Sequence, residues 1–206
     1  MRLVIDFLKT ALVAFCLANV AWADDGAAAT GKSMTLSGTA RPSDVAGEAY
    51  RFVPTVSNAG EGTLKFAIKN KPVWVSFNAD TGALTGTPNL TQVGTYHGIV
   101  VSVSNGHESA YLPQFSITVT AGSATLSWIA PTHTTSGKPI RDLAGYTVYY
   151  GSSPDELNQI IDVADPTATG YVLTNLTAGR YYFAVSSYTW SAPPSAKSAV
   201  ESITIE

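Results

Sequence analysis

The groups in this sequence that could move a proton, hold a metal or attack a carbonyl are few and scattered. There are three histidines, His97, His107 and His133, and one cysteine, Cys16. His107-Glu108 starts like a zinc-hydrolase helix motif, which needs a second histidine one helical turn on so that both rings share a face. That place holds Tyr111, and the pattern fails. No Gly-x-Ser-x-Gly stretch sets a serine on a strand-to-helix elbow. Asp155-Glu156 puts two carboxylates together in a turn after Pro154. Carboxylates for glycoside chemistry pair in space rather than in sequence, and two adjacent acids in a turn read as solvated. The histidines read as solvated strand-end residues. No catalytic residue and no metal ligand is assigned, and the expectation is a protein that is not an enzyme.

One aromatic stands outside every apolar alternation. Trp190 follows Tyr188-Thr189 at a strand end and precedes Ser191-Ala192-Pro193-Pro194. A loop tryptophan stiffened by two prolines offers a flat apolar surface to a sugar or a protein. Tyr188 and Trp190 are therefore the candidate ligand contacts. The competing reading packs Trp190 on its own domain or on the module before it, since tryptophan is mostly buried in folded proteins.

The elements that would position such a site are short strands. Tyr50 and Phe52 alternate, as do Leu64, Phe66 and Ile68 with lysines between, then Ile99, Val101 and Val103, then Phe115, Ile117 and Val119. After Ser123 the alternation resumes with Leu126 and Trp128, then Tyr146, Val148 and Tyr150, then Tyr181, Phe183 and Val185. Turn signals such as Asn58-Ala59-Gly60, Thr81-Gly82 and Asn105-Gly106 separate the strands, and no segment has a helical period. Short strands at such spacing predict sandwiches or barrels. The large apolar side chains Trp74, Phe77, Trp128, Tyr146 and Tyr181 are the expected structural core. Asn89-Leu90-Thr91 and Asn175-Leu176-Thr177 match the glycosylation sequon and are read as chance.

Residues 34–120 resemble the Putative Ig family of the cadherin-like superfamily. The resemblance rests on Tyr50 and Phe52, the Trp74/Phe77 pair, Thr81-Gly82, Leu84, Gly86-Thr87-Pro88, Gly94, Tyr96 and the strand end at Ser104-Asn105-Gly106. Gly82 and Gly86 are expected to supply positive φ, and Pro88 to end strand pairing for want of an N–H. Cadherin relatives bind calcium through acidic clusters. Here Asn105 stands where an aspartate is common, so the resemblance implies calcium while the thinned acids argue for no cofactor and no tight site. Residues 124–206 resemble a fibronectin type III domain, through Trp128, Tyr146, Gly145-Tyr146, Tyr149-Tyr150-Gly151 and a tyrosine corner at Leu176 and Tyr181. That family has a strand before the tryptophan strand. Only about four residues separate Val119 from Ala124, so either that strand is missing or the end of the first module serves both domains.

The N-terminus carries compartment information. Arg2 and Lys9 precede an apolar run over residues 11–18, and Ala21-Trp22-Ala23 offers small residues at the −3 and −1 positions of a cleavage site. The run is too short to span a bilayer, so residues 1–23 read as a cleaved signal peptide, and residues 24–33 as a flexible leader. Cleavage removes Cys16, and with it disulfides and thiolate chemistry. Of 12 basic and 15 acidic residues it removes Arg2, Lys9 and Asp6, leaving 10 and 14, or a net charge of −4. With no basic run, nucleic acid is a poor partner.

The expectation is an all-β chain: two tandem immunoglobulin-like β-sandwiches after a cleaved signal peptide. It would be exported to the periplasm, cell surface or medium, as a bacterial binding or adhesion module for a surface protein or polysaccharide, with no transmembrane segment in the mature chain. The alternatives are a structural spacer or assembly subunit without a ligand, or an accessory carbohydrate-binding protein.

Overall fold

A computed structural model describes residues 3–6 and 32–206. The stretch read as a signal peptide, apart from residues 3–6, and the stretch read as a leader up to residue 31 lie outside the described residues.

In the first sandwich, β2 (Thr35–Ser37), β3 (Ser43–Val45), β4 (Tyr50–Phe52), β5 (Thr55–Ser57) and β6 (Lys65–Lys69) are followed by β7 (Val75–Phe77), β8 (Leu84–Gly86), β9 (Gly94–Ser104), β10 (Ser109–Tyr111) and β11 (Phe115–Thr120). One layer holds β10, β9, β11 and β3, with β6 also paired to β9; the other holds β4, β8 and β7, with β2 and β5 as a separate pair. The period-2 alternation sends Tyr50, Phe52, Leu84 and Val75 inward from one layer, against Ile99, Val101, Val103, Ile117 and Val119 from the other. Trp74 is 8% exposed and meets the rings of Tyr50 and Tyr96 edge to face, with centroids 5.6 and 6.1 Å away. Its Nε1–H finds no acceptor among the described residues. Phe77 packs against the same core, half-buried.

The two glycines expected at positive φ differ. Gly82 has φ +70°, in a turn whose Asn78 Oδ1 accepts from the N–H groups of Asp80 and Thr81 at 2.9 and 3.0 Å. Gly86 has no positive φ; it is a close approach, since a Cβ there would lie 2.3 Å from the Trp74 carbonyl oxygen. Asn89 is spoken for locally: it caps a single 3-10 turn at Leu90–Gln92.

In the second sandwich, β1 (Leu3–Asp6), β12 (Gly122–Trp128) and β15 (Gly170–Leu176) form one sheet. The other runs β14 (Gln159–Val163), β13 (Leu143–Gly151), β16 (Gly179–Thr189), β17 (Glu201–Ile205). Leu126 and Trp128 face Tyr146, Val148, Phe183 and Val185 across the core, and Tyr181 packs at its margin. The Tyr181 hydroxyl lies 2.9 Å from the Thr177 hydroxyl, and Trp128 Nε1–H donates to the Ala168 carbonyl at 3.0 Å. The strand beside β12 is neither missing nor shared with the first sandwich. It is β1, from the start of the chain, antiparallel with Leu3 opposite Trp128 and Ile5 opposite Leu126.

Only Ala121 separates β11 from β12. A second strut crosses the junction: Ala178 N–H donates to the Ala46 carbonyl at 2.7 Å, and Val45 packs against the second core. Beside them Asp44 is buried, with Arg41 Nη2 3.0 Å from its carboxylate but no aligned hydrogen bond to either oxygen. Burial pushes the Asp44 carboxyl up to about 6, against the pull of Arg41.

Candidate ligand-contact face

Since Tyr146, Val148, Phe183 and Val185 point inward, the residues between them on β13 and β16 line the outer face of the four-stranded sheet. Gly145 stands opposite Tyr188, Tyr149 opposite Ala184, and Gly151 opposite Tyr182. The Tyr188 hydroxyl donates to Asp162 Oδ1 on β14 at 2.7 Å, and this bond raises the phenol's pKa. The ring needs the bare glycine beneath it, because a Cβ on Gly145 would lie 2.6 Å from the Tyr188 oxygen. Lys197 Nζ sits 4.0 Å from the Tyr149 ring centroid, and the Arg180 guanidinium 5.3 Å from that of Tyr182. Ile160, 64% exposed, stands opposite Tyr149 on β14. The face thus carries tyrosine rings, two cations and one carboxylate, which suits stacking combined with hydrogen bonding.

At the end of β16 the chain turns into the Trp190 loop, which is tied down along its length. Trp190 N–H donates to the Asp142 carbonyl at 3.1 Å, the Ser191 hydroxyl to the Asp142 carboxylate, and Ala192 N–H to Thr189 Oγ1 at 3.1 Å. Ser195 then pairs back onto Ser187, its N–H on the Ser187 carbonyl at 2.8 Å and its Oγ accepting from Ser187 N–H at 3.0 Å. Ser198 repeats the arrangement on Val185. All these anchors are polar, so none brings apolar surface against the indole. Trp190 is 82% exposed, and the reading that packs it on a domain does not hold. Tyr188, half-buried, lies two residues before it at the edge of the same face. Tyr149 and Tyr182 join the face although neither is among the ligand contacts expected from the sequence. The parity that sends Tyr146 and Phe183 inward is the signal that finds them.

The other chemistry-bearing residues stay apart. His97, His107 and His133 are exposed, and among the described residues no group of three or more His, Cys, Asp or Glu could hold a metal. Asp155 and Glu156 are exposed in their turn. A shallow depression on the first sandwich is lined by Arg51, Val53, Phe77, Asn78 and Thr85, without a cluster of ionisable groups.

Residues 32–120 match the family model described as the Putative Ig domain. The match spans the first sandwich. The second is a sandwich of three strands against four. Solved structures similar to the chain include the chicken CNTN1 FN1–FN3 domains, at 14% identity and TM-score 0.33, covering 82% of this chain and 64% of that one. Another is the endo-fucoidan hydrolase MfFcnA4 from glycoside hydrolase family 107, at 16% identity and TM-score 0.31, covering 82% and 29%. A third is the two fibronectin type III domain segment from chicken tenascin, at 12% identity and TM-score 0.31, covering 84% and 98%. The chain thus spans less than two thirds of the first two. No curated protein matches it by sequence.

Within the first sandwich the strand end at Ser104-Asn105-Gly106 is tied to the main chain. Asn105 Oδ1 accepts from the N–H groups of His107 and Glu108 at 2.9 and 2.7 Å, and Nδ2 donates to the Ala59 carbonyl at 2.8 Å. Glu108 Oε2 accepts from Met34 N–H at 2.9 Å. The neutral amide is engaged with the main chain at both ends and one Glu108 oxygen with Met34, whereas calcium asks for roughly six to eight oxygen ligands. Among the described residues, no helix is long and apolar enough to cross a membrane.

Proposed function

We propose that this chain is an exported, non-enzymatic binding module that adheres to a surface protein or polysaccharide through Trp190 and Tyr188. One observation carries the reading: an indole 82% exposed on a loop already fixed by hydrogen bonds to Asp142, Thr189 and Ser187. Apolar surface held out in water gains free energy only when something covers it. A loop that is already ordered loses little entropy when that happens. The tyrosines and cations beside it would add the polar contacts that fix a partner's orientation.

The test is a glycan array and a cell-surface pull-down with wild type and Trp190→Ala. Binding that falls by tenfold or more, about 1.4 kcal/mol, supports the site; equal binding by the two proteins removes it. Iodide quenching of the chain from Asp24 onward in a Trp74→Phe/Trp128→Phe background, where Trp190 is the remaining tryptophan, reports exposure directly: weak quenching with a blue-shifted emission overturns the assignment. Export is checked separately by intact mass, which is expected to start the mature chain at Asp24. The direct run of β11 into β12 favours a second reading, a rigid spacer. It takes over if neither glycan nor protein is captured while chains with a lengthened junction fail to assemble at the surface.

A further inference from the structure

We infer that the outer edge of β12 is a strand-acceptor site for an extended segment of a partner protein. Trp128 N–H donates to the Thr169 carbonyl at 2.9 Å, on the β15 side. Strand alternation then turns the main-chain groups of Thr125 and Ser127 the other way, where β1 lies with Val4 opposite Ser127 and Asp6 opposite Thr125. The chain between the sandwiches supplies no strand for this position, since Ala121 alone joins β11 to β12. The position is instead filled from the far N-terminus, by residues that lie inside the stretch read above as a cleaved signal.

Export therefore vacates the edge. A bare β12 would present unpaired ladder groups beside the core residues Leu126 and Trp128, which are 1% and 4% exposed with β1 in place, and such an edge templates pairing with another chain. The leader is a poor replacement: residues 24–33 hold glycine, alanine and polar residues, with no large apolar side chain. The fitting occupant is an antiparallel segment with apolar residues at the two positions opposite Leu126 and Trp128. Those register positions are held here by Ile5 and Leu3. The main chain would supply affinity and the alternate positions selectivity. Only the departure of residues 3–6 rests on the export reading; the edge itself does not.

The probe is a synthetic peptide of residues 2–9, added to the full chain carrying Val4→Pro, which cannot donate at the Ser127 position. Hydrogen exchange at the Thr125 and Ser127 amides is expected to speed up by about tenfold or more in the variant. One equivalent of peptide should restore protection, and the same peptide carrying the proline should not. If Val4→Pro fails to fold, Ile5→Gly makes the same comparison with the ladder N–H kept. Unchanged exchange in a folded variant, or no protection by the peptide, overturns the acceptor site. Intact mass of the exported protein separates the outcomes: retention of residues 1–23 defeats the export reading and leaves the peptide result to decide the edge.

Discussion

At the scale of a single residue, Asp44 links stability to pH. Its carboxyl is held at about 6 by burial, whereas in the unfolded chain it would titrate near 4. Between these values the folded protein binds more protons than the unfolded one, so this group's contribution to stability falls as pH rises. Below about pH 4 both states are protonated and nothing is lost; above about pH 6 the whole cost is present, roughly 3 kcal/mol. Denaturant titrations at pH 4 and pH 7 should show that difference shrink in Asp44→Asn, and an unchanged pH dependence would remove Asp44 as its source. Trp74 gives a second expectation at this scale. Trp74→Ala should cost about 3–5 kcal/mol. Trp74→Phe should cost clearly less, because it also removes a buried N–H without an acceptor. Equal midpoints for the two variants would refute that ordering.

Among the elements, Gly82 is the sharpest case. Its φ of +70° is costly for other residues, and a Cβ would lie 2.5 Å from the Phe66 ring. Gly82→Ala is expected to destabilise by about 1–3 kcal/mol, read as a lower denaturant midpoint; no shift would mean that the turn rearranges freely. The sequence made this turn legible, together with nearly every core strand, because one buried face and a period of two leave a plain signature at Ile99, Val101 and Val103 or Tyr146 and Val148. Gly86 was legible as a required glycine but not for its reason, since closeness to the Trp74 carbonyl is a tertiary fact. The pairing of β1 with β12 spans more than a hundred residues, and no local pattern encodes such a partner. The exposure of Trp190 was undecided for a similar reason: what covers a loop residue depends on chain distant in sequence.

For the whole molecule, the junction decides shape. A one-residue connection, the Ala178–Ala46 hydrogen bond and the seat of Val45 on the second core act together. A connection this short has little reach, so solution scattering should fit one orientation of the two sandwiches. Gly47 lies where they touch, at φ +92°, and a Cβ there would meet Thr177 at 3.0 Å. Gly47→Val is expected to broaden the distribution of orientations while both cores stay folded. Identical scattering from the variant would show that the contact does not set the angle.

That junction also determines how the chain takes a pull. β3 and β11 run parallel, with Ser43 beside Thr118 and Val45 beside Thr120, and β11 leads straight into the second sandwich. Tension entering ahead of β3 and leaving after β11 drags the two strands lengthwise past each other. Their bonds, including Thr118 N–H to the Pro42 carbonyl and Ala46 N–H to the Thr120 carbonyl, each 2.9 Å, are then strained in shear all at once, whereas a zipper yields one bond at a time. A protein tethered at a surface in flowing liquid would meet force along this line. In optical tweezers, Thr118→Pro, which deletes one of those donors, should lower the rupture force of the first sandwich; an unchanged force would place the mechanical clamp elsewhere.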